Sequence, residues 1–316
     1  MSRVLVSGSL AYDRIMDFPG FFKDHFIPEK LHNINVSFQV ADLSEQFGGT
    51  AGNVAYNLAL LGESPEIIAT VGTDFARYKE WFEKFGIATS SIRIFPDKPT
   101  SAAFVITDHA DNQIAAFHMG AGGEAYGGKV ETKGCALGMV SAGCIADMVF
   151  LPDRYRKDKL PFFSDPGQAL SALSSEQVRT SIEGAEALFG NEYEIDIVKQ
   201  KAGWQEAELL EHVRTLVVTL GEEGARVITR KEEFMIGAPR VENAIDPTGA
   251  GDAHRAGFIK GYLAKFDIKT TLRLANTVAS YAVEAYGTQA HHFSIPELAE
   301  RYKNTYGEEM PRWQPE

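Results

Sequence analysis

The chain reads as an α/β protein: a mostly parallel sheet covered by helices, with a small second β-sheet apart from it. Three observations predict this. Short apolar runs ending at Gly, Pro or Asp alternate with helical patterns over most of the length, as βαβ units do. Two stretches, residues 14–47 and about 98–120, break that rhythm and alternate apolar with polar residues, as a sheet exposed on one face does. The 316 residues are 44% hydrophobic, enough for one large core, and no linker or internal repeat divides them, so a single domain over 1–316 is expected.

Taken in order, "RVLVSGS" predicts a buried first strand, with Asp13 in the loop after it, where open α/β sheets build their sites. "NINVSFQVADLSEQF" predicts strand. "GGTAGNVAYNLALLG" turns helical, with Val54, Ala55, Leu58, Ala59 and Leu61 as the apolar stripe and Gly62 as its stop. "PEIIATVG" reads as strand and "FARYKEWFEKFG" as helix; "CIADMVFLP", "PFFSDPG", "GAEALFG" and "TLVVTLG" read as further short strands. "TSAAFVITDHADNQIAAFHM" predicts a hairpin around "HADN". With a four-residue loop, Asp108 pairs with Gln113 and Phe104 stands opposite Phe117. The tail "YGEEMPRWQPE" is expected to be surface-bound or loose.

Composition excludes several classes. With 31 Lys+Arg against 43 Asp+Glu the net charge is -12, so nucleic acid is not an expected partner. Cys135 and Cys144 are too few and wrongly spaced for a disulfide framework or a CxxC site. The N-terminal "MSRVLVSGSLAYD" lacks a signal-peptide pattern and no run of 18 apolar residues occurs, so a cytoplasmic protein without membrane contact is expected. That expectation removes the weight from the glycosylation pattern "NVS" at 35–37.

Among motifs, "GGEAYGGK" nearly matches a P-loop, but Val130 follows Lys129 where a Ser or Thr should bind magnesium, and no strand leads into it. "GAGGEA" fails as a dinucleotide loop for want of a preceding strand. "DPTGAGDAHRAGF", residues 246–258, carries more. Phe258, Ile259, Tyr262 and Leu263 mark a helix face, which puts Gly249, Ala250 and Gly251 at a helix N-terminus, where free N–H groups favour an anion. Asp252 then falls in the first turn, either as a carboxylate complementing the helix dipole or as a catalytic group. "GNEYE" offers Asn191 and Glu194 as a capping box.

"DPTGAGD", "FGGTAGNVAYNLALLG", "GNEYE" and "TLGEEG" stand in the order of the four signatures of the ribokinase-like (PfkB) carbohydrate and nucleoside kinases, and the chain resembles that family from its first strand to about residue 298. The resemblance implies a three-layer α/β/α fold with a small β lid formed by the two alternating segments. It implies Asp252 as the base that takes a proton from the acceptor hydroxyl, with Gly249, Ala250 and Gly251 as the anion hole. Asn191, Thr219, Gly221, Gly224 and Gln289 would border ATP together with Gly249 and Gly251, and Glu194 would order Mg²⁺ through water. Whether K⁺ also activates stays open. Phosphoryl transfer needs positioning and charge stabilisation more than covalent chemistry, which suits a base beside an anion hole. His254, next to Ala253, reads as packing. The adjacent His291 and His292 lack ligand-spaced partners and read as a nucleotide-side loop, not a metal site.

On the acceptor side the resemblance implies Ser9, Asp13, Gly49 and Asn53 around sugar hydroxyls; Asn53 would alternatively cap its helix. The longer patterns "DPGQAL", "KAGWQEAEL" and "YGTQAHHF" resemble bacterial adenosine kinases more closely than ribokinases. That subgroup implies Phe104 and Phe117 as lid aromatics against the base and Gln168 as reader of its edge, although an ordinary aromatic pair would account for the rings alone. The expectation is an ATP-dependent purine nucleoside kinase of nucleoside salvage acting on the 5′-hydroxyl, with adenosine, inosine and guanosine unranked. The alternatives are a sugar kinase of the same family and a nucleoside-binding sensor without catalysis. Exposed lid strands leave monomer and lid-mediated homodimer both open.

Overall fold

A computed structural model describes residues 3–30, 32–110 and 112–313. Asp111 of the "HADN" loop, the first two residues of the N-terminal run and the last three of the tail therefore lie outside the described residues.

The chain begins β1 (Arg3–Ser7), β2 (Ala11–Asp17), β3 (Asp42–Gly48), α1 (Thr50–Leu60), β4 (Ser64–Val71), α2 (Ala76–Lys84), β5 (Ile92–Ile94), β6 (Ser101–Thr107) and β7 (Gln113–His118). It continues through β8 (Cys135–Ser141), α3 (Ile145–Asp158), β9 (Phe162–Asp165), α4 (Ser175–Ile182), β10 (Ala187–Asn191), α5 (Glu192–Ala202), α6 (Glu206–His212) and β11 (Thr215–Thr219). After the hairpin strands β12 (Ala225–Thr229) and β13 (Glu233–Ile236) come α7 (Ala250–Leu263), α8 (Ile268–Ala282) and α9 (Ile295–Tyr306).

Among the described residues nine strands form the main sheet in the order β13-β12-β11-β10-β9-β8-β1-β4-β5, parallel from β5 to β11. Period-two alternation sorts its side chains between two helix layers. Val4, Val6, Met139, Phe163, Phe189 and Val217 pack in one cluster with α1, α2, α7, α8 and α9; Leu5, Val140, Phe162, Leu188 and Val218 pack in the other with α3 to α6. The chain leaves β1 for β4 on one side and reaches β8 on the other, so the strand order reverses at β1. Open α/β sheets bind ligands at such a reversal, at the carboxyl ends of their strands. The second sheet, β3-β2-β6-β7, grows out of the β1 end and is antiparallel except between β2 and β6.

The structure corrects three expectations. "CIADMVFLP" belongs to helix α3, where Met148, Leu151, Pro152 and Tyr155 are buried at helical spacing; Pro152 within the helix obscures that period in the sequence. The strand in that region is β8, "CALGMVS", earlier in the chain. Residues 33–41 are not strand: Phe38 packs with Phe18, Phe22 and Phe26, and pairing with β2 starts only at Asp42. Asp13 stands within β2, not in a loop. Of the two readings of the tail, the surface-bound one describes Trp313, which packs on Phe266 and under the Lys260 ammonium.

Candidate active site

Parallel pairing brings the carboxyl ends of the central strands into one crevice. Ser141 pairs with Asp165 across β8 and β9, and Asn191 with Thr219 across β10 and β11, so chemically useful residues from distant sequence stand side by side. Helix α7 points its N-terminus into this line.

Gly249 caps α7 at φ 81°, a left-handed conformation that suits glycine, and a Cβ there would approach Thr288 Cβ at 2.9 Å. Among the described residues the first-turn N–H groups of Gly251 and Asp252 have no carbonyl partner, whereas that of Ala250 folds back to the Pro247 carbonyl at 3.2 Å. The Asp252 carboxylate accepts a hydrogen bond from Asn53 Nδ2 at 2.8 Å. Burial, opposed by that bond, lifts its pKa from 3.8 to about 7; Asp165 and Glu194 push the same way and Arg255 against it.

Arg255 is a residue that sequence reasoning missed. It lies one turn after Gly251, donates to the Gly251 carbonyl at 3.2 Å and grips buried Asp165 through Nε and Nη2 at 3.0 and 3.2 Å. Its place three residues after Asp252, on the same side of the helix, was the available signal. Asp246 was missed too: it holds Thr248 N at 2.9 Å and Gly287 N at 3.2 Å, which anchors the loop ahead of α7. His254 is buried and its pKa falls to about 3 through burial and Arg255, so it stays neutral and packs, as expected.

Asn53 does not cap α1. That cap is Gly49, at φ 91°, with the Ser9 hydroxyl accepting from Thr50 N at 3.1 Å. Asp13 is opposite Gln46 on β3 and in register with Ala103 on β6, and Ala103 pairs in turn with Phe117 on β7. One sheet face therefore carries Asp13, Ala103 and Phe117 in a row about 10 Å long, two strand spacings. Burial and neighbouring Asp246 raise the Asp13 pKa to about 6. Phe117 is exposed.

Phe104 is not opposite Phe117. It pairs with Ala116 and lies on the other face, under the Arg14 guanidinium, because the hairpin loop has five residues instead of four and Thr107 meets Gln113. Asp108 shapes this turn: its carboxylate accepts from the backbone N–H groups of Ala110, Asn112 and Phe22, and its own N–H donates to the Asn112 carbonyl at 3.0 Å, in the register that pairs Thr107 with Gln113. A one-residue change of register moves a side chain to the opposite face.

The other expected residues divide between the crevice and the core. Asn191 and Glu194 form the full capping box of α5, each bond 2.8 Å long. Gly221 is at an open turn after β11, and Gly224 is at a tight one, against the Ile236 carbonyl. Gln168 is exposed in the turn after β9. Gln289 departs from its expected place beside the nucleotide: it is buried, with its amide taken up by Asn53, Tyr78 and Trp81. His291 is equally internal, hydrogen-bonded to Asn57 and edge-on to Tyr56. Among the described residues no cluster of three or more His, Cys, Asp or Glu could hold a metal, and no helix is long and apolar enough to cross a membrane.

Residues 1–294 match the model of the pfkB family carbohydrate kinases. A nucleoside kinase of Methanothermobacter thermautotrophicus is 34% identical over 98% of both chains. The solved nucleoside kinase of Burkholderia thailandensis in complex with inosine is 35% identical, covers 97% of this chain and 99% of its own, and superposes with a TM-score of 0.83. The Methanocaldococcus jannaschii nucleoside kinase, at 27% identity and 96% and 99% coverage, gives 0.87. With a helix N-terminus and a half-buried acid at the carboxyl edge of such a sheet, and with this match along nearly its whole length, the chain belongs to the pfkB family of carbohydrate kinases.

Proposed function

We propose that this chain transfers the γ-phosphoryl group of ATP to the 5′-hydroxyl of a purine nucleoside, in nucleoside salvage. The observation that carries the reading is Asp252: a half-buried carboxylate with a pKa near neutrality, beside backbone N–H groups that lack partners. It accepts the hydroxyl proton as the new O–P bond forms and ADP leaves. The N–H groups of Gly249, Ala250 and Gly251 stabilise charge on the phosphoryl oxygens; that of Ala250 exchanges its weak bond to Pro247 for the anion. Asn191, Thr219, Gly221 and Gly224 border the nucleotide.

The second sheet acts as a lid. Asp13 and Ser9 hold ribose hydroxyls beside Gly49, and the row running through small Ala103 to exposed Phe117 leaves room for a base to stack at its far end. Gln168, which can donate and accept, reads the base edge. This span favours a nucleoside over a free sugar, and relatives named nucleoside kinases, one of them solved with inosine and with ADP-inosine, support it. Mg²⁺ fits as an ion brought by the phosphates, since among the described residues no cluster of His, Cys, Asp or Glu could bind it alone; Glu194 keeps Oε1 for a bridging water while Oε2 caps α5. Bound there, it would neutralise phosphate charge.

An acceptor screen with ATP and Mg²⁺ tests the reading. Adenosine or inosine is expected to turn over faster than ribose or fructose, with a 5′-monophosphate as product; faster turnover of a free sugar overturns it. Because Asp252 must be ionised to act, kcat/KM is expected to fall as pH drops through about 7.

A further inference from the structure

Asn53 faces the Asp252 carboxylate with an amide whose two ends are nearly the same shape but opposite in hydrogen-bonding sense. Only the NH₂ end stabilises the charged acid; a carbonyl end would repel it. The neighbours decide which end is presented, and they form a chain of forced assignments. The Trp81 indole N–H can only donate, and it lies 2.9 Å from Gln289 Oε1. Gln289 Nε2 must then point the other way, where it reaches Asn53 Oδ1 at 3.0 Å and the Tyr78 hydroxyl at 2.6 Å. Tyr78 can accept there because its own hydrogen goes to the Gly48 carbonyl at 2.8 Å. The Thr288 hydroxyl lies 2.8 Å from the same Asn53 Oδ1 and 3.0 Å from the Phe47 carbonyl. Gln289 Nε2 donates to the Asn53 oxygen, and the Thr288 hydroxyl, with one hydrogen between that oxygen and the Phe47 carbonyl, supplies a shared second donor, so Asn53 has only Nδ2 left for Asp252.

The fold makes room for this chain. Gly52 is in the first turn of α1, and a Cβ there would come within 2.0 Å of the Tyr78 hydroxyl and 3.0 Å of Gln289 Nε2. Asn53, Tyr78, Thr288 and Gln289 are buried, so water does not compete for these bonds.

We infer that Trp81, Gln289 and Thr288 are positioning residues that fix the polarity of the Asn53 amide, so that it presents a donor and never an acceptor to Asp252. The inference rests on the phosphoryl-transfer reading for its kinetic consequence, though not for the geometry. The other groups facing Asp252 are Asp165 at the end of β9, Glu194 on α5 and Arg255 on its own helix, with Tyr78 of α2 further off. None of them is altered in the variants below.

In Thr288→Val/Gln289→Met the two donors to Asn53 are gone. The amide can then turn its oxygen to accept from protonated Asp252, which stabilises the neutral acid, and the Asp252 pKa rises. The acid limb of kcat/KM is expected to move up by about half to one pH unit, with turnover above pH 9 within about threefold of wild type. Trp81→Phe, which keeps the ring stack on Phe47 and Tyr56 and loses only the N–H, is expected to move the limb the same way by less. Thr288→Ser retains the hydroxyl and leaves the limb where it was. An unmoved limb in the double variant, or an activity loss equal at every pH, overturns the inference. So that it can fail apart from the kinase reading, the side-chain amide ¹⁵N resonance of Asn53, assigned by its loss in Asn53→Ser, is followed against pH without substrates. Its midpoint is expected to be higher in the double variant than in wild type, and equal midpoints overturn the inference whatever the acceptor screen finds.

Discussion

Asp252→Asn is expected to lower kcat by about 10²- to 10⁴-fold, the range over which a positioned general base contributes, while KM for nucleoside and for ATP changes little. The amide has the shape of the acid and can still meet Asn53 Nδ2 with an oxygen, so the α7 turn and its N–H groups are preserved. What it lacks is a lone pair basic enough to take the hydroxyl proton. Steady-state kinetics on purified protein decide the matter, and turnover near the wild-type value would show that the base lies elsewhere. The same substitution has a second, opposite consequence. The unfolded chain gives up the Asp252 proton near 3.8 but the folded one holds it to about 7, because the site is buried. The stability that this proton contributes is complete below 3.8 and is lost as pH rises through 7. Asp252→Asn is therefore expected to melt higher than wild type at pH 8, with the difference closing at pH 4. Loss of activity with gain of stability is the signature of a residue kept for chemistry.

Arg255→Met is expected to destabilise the protein by about 3–5 kcal/mol, because it leaves the Asp165 carboxylate buried and unpaired. The pair is held by two hydrogen bonds, and both side chains are almost wholly out of water. Replacing both residues, as in Asp165→Leu/Arg255→Met, removes the uncompensated charge and is expected to recover much of the loss. Urea midpoints of the two variants measure this, and a single variant within about 1 kcal/mol of wild type would mean that Asp165 finds another partner or protonates without cost. Arg255 also donates to the Gly251 carbonyl, so the anion-hole turn is tied to the end of β9 by the same side chain.

Much of the architecture was legible because it is written in local patterns. Alternation of strands and helices, the α1 stripe and the Asn191–Glu194 box each depend on residues close together in sequence, and each formed as expected. The failures have physical causes of the same kind. α3 hid behind Pro152, and the segment at 33–41 showed strand alternation but found its partners in an aromatic cluster instead of a ladder. The hairpin shows how little is needed: Asp108 spends its carboxylate on three backbone N–H groups, the loop gains a residue, and Phe104 passes to the far face.

The sequence by itself determined that Gly249 to Asp252 would open a helix and that an acid would stand in its first turn, since glycine conformation and apolar spacing are properties of adjacent residues. Tertiary structure alone decided what surrounds that acid. Asn53, Asp165, Arg255, Gln289 and Trp81 come from α1, β9, α7, the loop before α9 and α2, and their hydrogen bonds join residues as far as 236 positions apart. Which end of an amide faces a carboxylate depends on the donors around it, and those donors are brought together only by packing. That is why Gln289, expected beside the nucleotide, lies instead behind the amide that holds Asp252.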